Sequence, residues 1–289
     1  MGKRKQDSAL ARKAAEQSIV LLKNDGILPL KKEVKKVAVF GPCAQFAPLG
    51  GYTYYPTNDT TPKTLYDGLV EHLGQENVLF AQGTRLLQTS EEMIKEAVET
   101  AKQADVLILA CGDSGRYCGG GLCDEIVNEP VLCGENFDMH DIRIPEAQRK
   151  LFETLKNTGK PLVLTLFTGR PNVIVNEFEQ SNAVLQAWYP GEMGGLALAD
   201  ILFGNVNPTG KLCVSFPRSN GHFPCNYNHR KSARGNFWKK PGTIEKPGKD
   251  YVLSSPKAFL TFGDGLGYVP ITYHSIKAKK TDEFTVEVK

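Results

Sequence analysis

One long segment of this sequence carries most of the side chains that could do acid–base chemistry. It covers residues 112–145 and follows an apolar run of strand length, whereas a strand-to-helix connection typically has about 2–6 residues. Its acidic residues are Asp113, Asp124, Glu125, Glu129, Glu135, Asp138 and Asp141. Glu135 stands out because a glycine precedes it and aromatic or apolar residues surround it, and partial desolvation raises the pKa of a carboxyl as a general acid requires. The alternative is that these are solvated loop acids, one of which caps the following helix.

A second candidate is the aromatic, glycine-rich loop over residues 50–55, whose sequence is GGYTYY. Aromatic faces suit sugar rings, but tyrosines such as Tyr52 could equally pack the loop onto the body of the protein. No GxGxxG follows the first predicted strand and no GxxxxGK[ST] loop occurs, so a nucleotide site finds no support. Neither a GxSxG serine elbow nor an HExxH zinc motif is found.

The cysteines predict reduced thiols. Seven cysteines are an odd number, and the N-terminus has basic residues but no apolar run of the kind that a secretion signal needs. We therefore expect a cytoplasmic protein without a disulfide framework. Cys118, Cys123 and Cys133 are clustered but lack the CxxC pair of a structural zinc site, so we predict neither a metal nor a cofactor.

Composition excludes several classes of protein. The chain has 289 residues, of which 41% are hydrophobic and 23% charged, which is ordinary globular usage and disfavours disorder. The net charge of +3 is too weak to indicate a nucleic-acid partner. No stretch approaches the roughly 18–20 apolar residues of a membrane span, so we expect no membrane partner.

Apolar runs of strand length alternate with amphipathic runs of helix length. The pattern predicts strands at 37–40, 78–80, 105–112, 161–167, 183–188 and 211–216, and helices at 10–23, 64–73, 90–104, 145–157 and 193–203. Most strands are continuously apolar, which indicates burial on both faces and parallel pairing through helical crossovers. We therefore predict an α/β fold with a doubly wound, mostly parallel sheet of about six strands. Ligands bind such sheets at the carboxyl ends of the strands, here after Phe40, Ala110, Phe167 and Trp188.

Several segments, taken together and in order, resemble the α/β-sandwich domain of glycoside hydrolase family 3, the β-glucosidase and β-xylosidase family. The similar segments are 14–24 (AAEQSIVLLKN), 28–30, 39–42 (VFGP), 51–52, 134–138 with 144–145, 169–171 (GRP), 187–192 (AWYPGE), 200–204 with 207–208, and 262–268 (FGDGLGY). Each is weak alone, but together they cover roughly residues 10–275 and are specific in combination.

The resemblance implies a shared active site. In that family a (β/α)8 barrel carries the nucleophilic aspartate, and the sandwich domain often supplies the acid/base from a GExxD loop, which Glu135 and Asp138 match. We expect Tyr52, Asp113 and Asp138 to bind a β-linked glucoside or xyloside. Retaining hydrolysis needs two carboxyl groups about 5–5.5 Å apart, and this chain would supply one of them. It is too short for an additional barrel of about 250 residues, so we expect little or no turnover by the chain alone.

Two departures from the family pattern concern the same loop. The family commonly has GEGxDR, whereas Asn136 replaces the second glycine and Met139 replaces the arginine. Asp141 and Arg143 could partly substitute for the missing charge. The competing hypothesis is a non-catalytic carbohydrate-binding or regulatory module that uses the same loops. The enzyme hypothesis itself leaves two arrangements open, a fragment of a longer enzyme or a separately encoded subunit of a split one.

The domain prediction has four parts. Residues 1–33 form an N-terminal helix and linker on the sandwich, 34–217 the sandwich domain, 218–270 a wrapping tail, and 271–289 the start of a truncated fibronectin-III-like segment. A surface built to close over a barrel would expose apolar groups when the barrel is missing, which predicts possible self-association of the isolated chain.

Overall fold

The computed structural model describes residues 2–50, 62–113, 132–133, 138–228, 254–255, 257–272, 274–280 and 284–288. Within these ranges the α-helices are α1 (Gly2–Ser18), α2 (Leu65–Leu73), α3 (Glu91–Lys102), α4 (Glu146–Lys156), α5 (Val175–Gln180) and α6 (Gly194–Phe203). The strands are β1 (Val20–Asn24), β2 (Val37–Phe40), β3 (Val78–Ala81), β4 (Val106–Gly112), β5 (Leu162–Phe167), β6 (Ala183–Gln186), β7 (Ile276–Lys280) and β8 (Phe284–Val288).

Six of the strands form one sheet in the order β1-β6-β5-β4-β2-β3. All neighbours are parallel except β1, which runs antiparallel to β6 at the edge. Strand β3 lies on one side of β2 in the sheet, and the next strand in the sequence, β4, lies on the other side of β2. The order of the strands therefore reverses between β2 and β4, which is where such sheets open a crevice for ligands.

Helices cover both faces of the sheet, which confirms the doubly wound α/β prediction. Alternate residues of β2 point into two different core clusters, Val37 and Val39 into one, Ala38 and Phe40 into the other. Apolar residues of α2 and α6 fill the first cluster, and those of α3 and α4 fill the second. Because β4 and β5 are buried along their whole length, their sequences are continuously apolar rather than alternating.

Two of the predicted elements are wrong, and the two errors cancel in the number of strands. The predicted helix at 10–23 ends at Ser18, and residues 20–24 form the edge strand β1 instead. The predicted strand at 211–216 is not a strand; it makes one isolated bridge, between Phe216 and Leu260. Val20 and Leu21 are completely buried against β6, so pairing along the sheet edge outweighs their helical spacing.

A cluster of hydrogen-bonded side chains joins three helices on the first face. The guanidinium of Arg12 on α1 donates to Asp200 on α6, with Nε 2.9 Å from Oδ2. His72 on α2 lies with its Nε2 3.2 Å from the other oxygen of Asp200. These contacts fasten α1 to the body of the domain.

The C-terminal part first packs on the sheet and then leaves it. Leu266 bridges to Leu21 of β1, and Tyr268 donates a hydrogen bond from its hydroxyl to the carbonyl of Ile201 at 2.8 Å. Strands β7 and β8 form a separate antiparallel hairpin. The four predicted domain boundaries stay predictions. No helix in the described part of the chain is long and apolar enough to cross a membrane.

Candidate active site

The carboxyl ends of β4, β5 and β6 meet at the side chain of Asp113. This residue directly follows β4 and is 5% exposed. The backbone N–H of Gly169, after β5, donates to its Oδ1 at 3.0 Å. The hydroxyl of Tyr189, after β6, donates to the same oxygen at 2.6 Å. Asp113 therefore ties together three of the loops at which the sequence predicts ligand binding.

Burial dominates the electrostatics of this group. Burial raises the pKa of Asp113 above its ordinary value, although the bonds from Tyr189 and Gly169 and the charge of Arg170 act in the opposite direction. Burial and the neighbouring Asp113 also raise the pKa of the Tyr189 hydroxyl. The tyrosine consequently keeps its proton and remains a hydrogen-bond donor to the carboxyl.

Tyr189 reaches Asp113 through an unusual backbone turn. Trp188, the residue before it, has a φ of 58°, a left-handed conformation that costs a non-glycine residue about 1–3 kcal/mol. The Trp188 ring packs on the second core cluster, with its centroid 6.3 Å from that of Phe216. The turn thus packs the partly buried tryptophan against this cluster while the next side chain goes to the carboxyl edge.

A buried amide holds the start of the 112–145 segment against its end. Gln148, in the first turn of α4, is completely buried. Its Oε1 accepts from the N–H of Gly112 at 2.9 Å, and its Nε2 donates to the carbonyls of Gly112 at 2.8 Å and Leu86 at 3.0 Å. Because α4 begins where the segment ends, one side chain fixes both of its ends.

A cavity of about 220 Å³ lies beside Asp113 at the reversal of strand order. Its lining residues are Gly41, Pro42, Cys43, Gln45, Phe46, Phe80, Gln82, Arg85, Leu86 and Asp113. Apolar walls with a few converging polar groups are typical of small-molecule sites. The cavity agrees with the expectation that ligands sit at this edge of the sheet.

Two of the four predicted site residues, Asp113 and Asp138, lie among the residues that the structure describes. Asp113 lies at the carboxyl edge and lines the cavity, whereas Asp138 is exposed. Glu135 and Tyr52 lie outside the described residues. The assigned roles of all four stay predictions.

The sequence analysis does not identify two residues of this site. Tyr189 occurs in it only within the AWYPGE segment, and Gln148 is not among its candidates. A tyrosine directly after a buried strand, at a predicted ligand-binding edge, was a usable signal. Gln148 gave none, because an amide on an amphipathic helix looks like a surface residue until the loop covers it.

Cys133, in the interior of the acidic segment, lies at the same place. It is buried, and a Cβ built on Gly169 would lie 2.5 Å from its Sγ and 3.0 Å from the Tyr189 hydroxyl. Among the described residues, no group of three or more His, Cys, Asp or Glu side chains could hold a metal ion. Cys118 and Cys123 are outside those residues.

Replacing Asp113 with asparagine should change how stability depends on pH. The amide oxygen of Asn still accepts from Tyr189 and Gly169 but carries no buried charge. Since the folded state raises the pKa of Asp113, it binds a proton more tightly than the unfolded chain, so the wild-type loses stability as pH rises above about 4. In urea unfolding, the free energy of unfolding of Asp113→Asn should therefore increase relative to that of the wild-type as pH rises from 4 to 7.

The matched control is Asp105→Asn, for which the sign reverses. Hydrogen bonds from the backbone N–H groups of Lys36 and Lys35 lower the pKa of the exposed Asp105 carboxyl. The contribution of this carboxylate to stability grows as pH rises from its lowered folded pKa to its unfolded pKa of about 3.9. Asp105→Asn should therefore fall behind the wild-type as pH rises to about 4, and change little relative to it from pH 4 to 7. Parallel pH profiles for the two variants would contradict the assignment of Asp113.

Comparison with known proteins decides the family. The model of the glycosyl hydrolase family 3 C-terminal domain matches residues 19–268. This chain belongs to that family. The match covers all six strands of the large sheet and every helix except α1. It includes every element that surrounds Asp113. The resemblance drawn from the separate sequence segments is therefore confirmed.

Relatives of this family 3 domain are much longer than the chain. A periplasmic β-glucosidase of Salmonella typhimurium is 35% identical over 92% of this chain, and a β-xylosidase of Formosa agariphila is 33% identical over 95%. The crystal structure of a β-glucosidase from Listeria innocua is 32% identical, with a TM-score of 0.76 over 93% of this chain. The chain spans only about a third of each of these proteins, 35%, 36% and 34% respectively.

Proposed function

We propose that this chain is the acid/base-bearing domain or subunit of a retaining β-glycosidase that acts on β-glucosides or β-xylosides. Glu135 is the acid/base, and a (β/α)8 barrel, as another domain or a separate subunit, supplies the nucleophilic carboxylate. The names of the relatives support the substrate class, and their length supports the missing second part. No cofactor takes part.

The observation that carries this proposal is the convergence of two described residues of the 112–145 segment. Asp113 at its start and Cys133, two residues before Glu135 in the sequence, both lie against Gly169 and Tyr189 at the carboxyl edge. Two peptide units separate Cys133 from Glu135, and an extended chain advances at most about 3.6 Å per residue. In the sequence, Glu135 therefore follows closely on a residue that is fixed at this edge.

The proposed chemistry requires one proton to move in each of two steps. The barrel carboxylate attacks the anomeric carbon while protonated Glu135 gives its proton to the departing glycosidic oxygen, so the leaving group departs as an alcohol. Glu135 is now a carboxylate and takes a proton from water as that water attacks the anomeric carbon and releases the barrel carboxylate. The cycle returns Glu135 to its protonated form.

Exposed apolar side chains support an interaction surface. Tyr227 and Phe262 are 59% and 51% exposed and stack on one another, with ring centroids 4.9 Å apart. Val269 and Ile271, further along the tail, are 63% and 77% exposed. An exposed apolar patch of this kind favours self-association of the isolated chain.

The test compares the chain alone with the chain joined to a barrel. We would replace the matching third of the Listeria innocua β-glucosidase with this chain, and assay both proteins on p-nitrophenyl β-glucoside and β-xyloside. We expect turnover by the chimera and none by the isolated chain. Turnover by the isolated chain would contradict the missing nucleophile. If the chimera folds but is inactive, while the isolated chain binds glucose or xylose, the result would favour the non-catalytic binding module.

A further inference from the structure

We propose that Tyr189 is a positioning residue for Glu135, because it contacts both Asp113, at the start of the 112–145 segment, and Cys133, two residues before Glu135. This inference rests on the proposed function only in naming Glu135 as the group that is positioned. The clamp itself is made of Tyr189, Gly169, Asp113 and Cys133, and we call these four residues the stem clamp.

The first half of the stem clamp holds the start of the segment. Both donors to Asp113, the Tyr189 hydroxyl and the Gly169 N–H, bind the same oxygen. Hydrogen bonds to a charged acceptor contribute about 1.5–3 kcal/mol, roughly twice as much as neutral ones. Asp113 is therefore held more firmly than an ordinary loop residue.

The second half of the stem clamp holds Cys133, two residues before Glu135. Cys133 is 8% exposed, although it lies in the middle of a segment rich in acids and glycines. Its Sγ and the Tyr189 ring both lie within 3 Å of the point where a Gly169 side chain would begin. Any side chain at residue 169 would thus push the thiol and the tyrosine apart, which explains why glycine suits this position.

Tyr189 can act as a fixed point because the body of the domain holds it. It follows β6 after the left-handed turn at Trp188, whose ring is anchored in the core. Gln148 fixes Gly112 from the other side of the same segment. A catalytic side chain must be held within about 0.5 Å of its productive position by the residues that support it, and the contact of Cys133, two residues before Glu135, contributes such support.

The first test measures the clamp in the isolated chain, without any activity. Tyr189→Phe removes only the hydroxyl. Amide hydrogen exchange at Gly169 and over residues 132–141 should become about tenfold faster, as expected for the loss of a bond to a charged group. The control is Tyr268→Phe, which removes a buried hydroxyl that donates to Ile201 far from the segment. Unchanged exchange in Tyr189→Phe, or an equal change in both variants, would overturn the proposal.

The second test measures the position of the acid in the chimera described above. A misplaced general acid slows the departure of poor leaving groups more than good ones, because a good leaving group needs little proton donation. Tyr189→Phe should therefore lower kcat/KM, which reports the first step, about tenfold on methyl β-glucoside and less than twofold on 2,4-dinitrophenyl β-glucoside. A loss of equal size on both substrates would indicate a merely structural role and overturn the positioning claim.

The two tests separate this inference from the proposed function. Faster exchange together with a leaving-group effect supports both. Faster exchange in the isolated chain, together with a chimera that is already inactive with Tyr189 intact, leaves the stem clamp standing and counts against Glu135 as the acid/base. Unchanged exchange overturns the stem clamp whatever the chimera does.

Discussion

Changing Glu135 to glutamine should lower kcat/KM on methyl β-glucoside by about 100- to 10,000-fold in an enzyme assembled with a barrel, the range that a positioned general acid contributes. Glutamine keeps the size and polarity of the side chain but has no acidic proton to donate to the leaving group. The loss should shrink as the leaving group improves and become small on 2,4-dinitrophenyl β-glucoside. The measurement is a series of aryl and alkyl β-glucosides of graded leaving-group pKa.

A small nucleophile distinguishes an acid/base from a residue that only binds the sugar. In Glu135→Ala the second step lacks a base to activate water, but azide needs no deprotonation and attacks the anomeric carbon directly. We expect azide to speed turnover of the dinitrophenyl substrate and to give a β-glycosyl azide. The control is Glu146→Gln, an exposed acid at the start of α4, which should behave as the wild-type. No leaving-group dependence and no azide product would remove Glu135 from the mechanism.

The interior of the sheet was predictable because each of its strands is bounded by local signals. Val37–Phe40 ends at a glycine and a proline, and the run before Gly112 ends at a glycine. The first edge strand has no such boundary. The apolar residues of β1 continue the helical spacing of α1, and neither glycine nor proline separates the two elements. These residues form a strand because they pair with β6. Contacts between residues more than 150 positions apart leave no local trace in the sequence.

The same distinction applies to the site. Asp113 was predictable because a charged residue that directly follows a buried strand must lie at the carboxyl edge of a parallel sheet. The buried character of Asp113 was not predictable, because it depends on Tyr189 and Gly169, which reach it from two other strands. The sequence therefore located the edge of the sheet, while the hydrogen bonds that organise it became visible only in three dimensions.

Changing Gly195 to alanine should destabilise the domain by about 3 kcal/mol, the upper end of the usual cost of overpacking. Gly195 lies in the first turn of α6, where α6 crosses α2. A Cβ there would overlap the carbonyl of Thr64 and lie 2.5 Å from that of Lys63, and both are backbone atoms that no side-chain rotation can move. The urea midpoint should fall accordingly, with an unchanged m-value.

The sign of this effect tests the helix crossing, because glycine-to-alanine changes inside helices ordinarily stabilise by about 0.5–1 kcal/mol. The facing residue, Gly68 on α2, has the reciprocal contact: its Cβ would lie 2.5 Å from the Gly195 carbonyl. We therefore expect Gly68→Ala to destabilise too, whereas Gly221→Ala, with no atom within 4 Å of its Cβ, should be nearly neutral. A stabilised Gly195→Ala would mean that the two helices lie further apart than described. Since the Glu192 carbonyl, three residues after Tyr189, accepts from the N–H of Lys63 at 2.7 Å, a looser crossing would also loosen the support of the stem clamp.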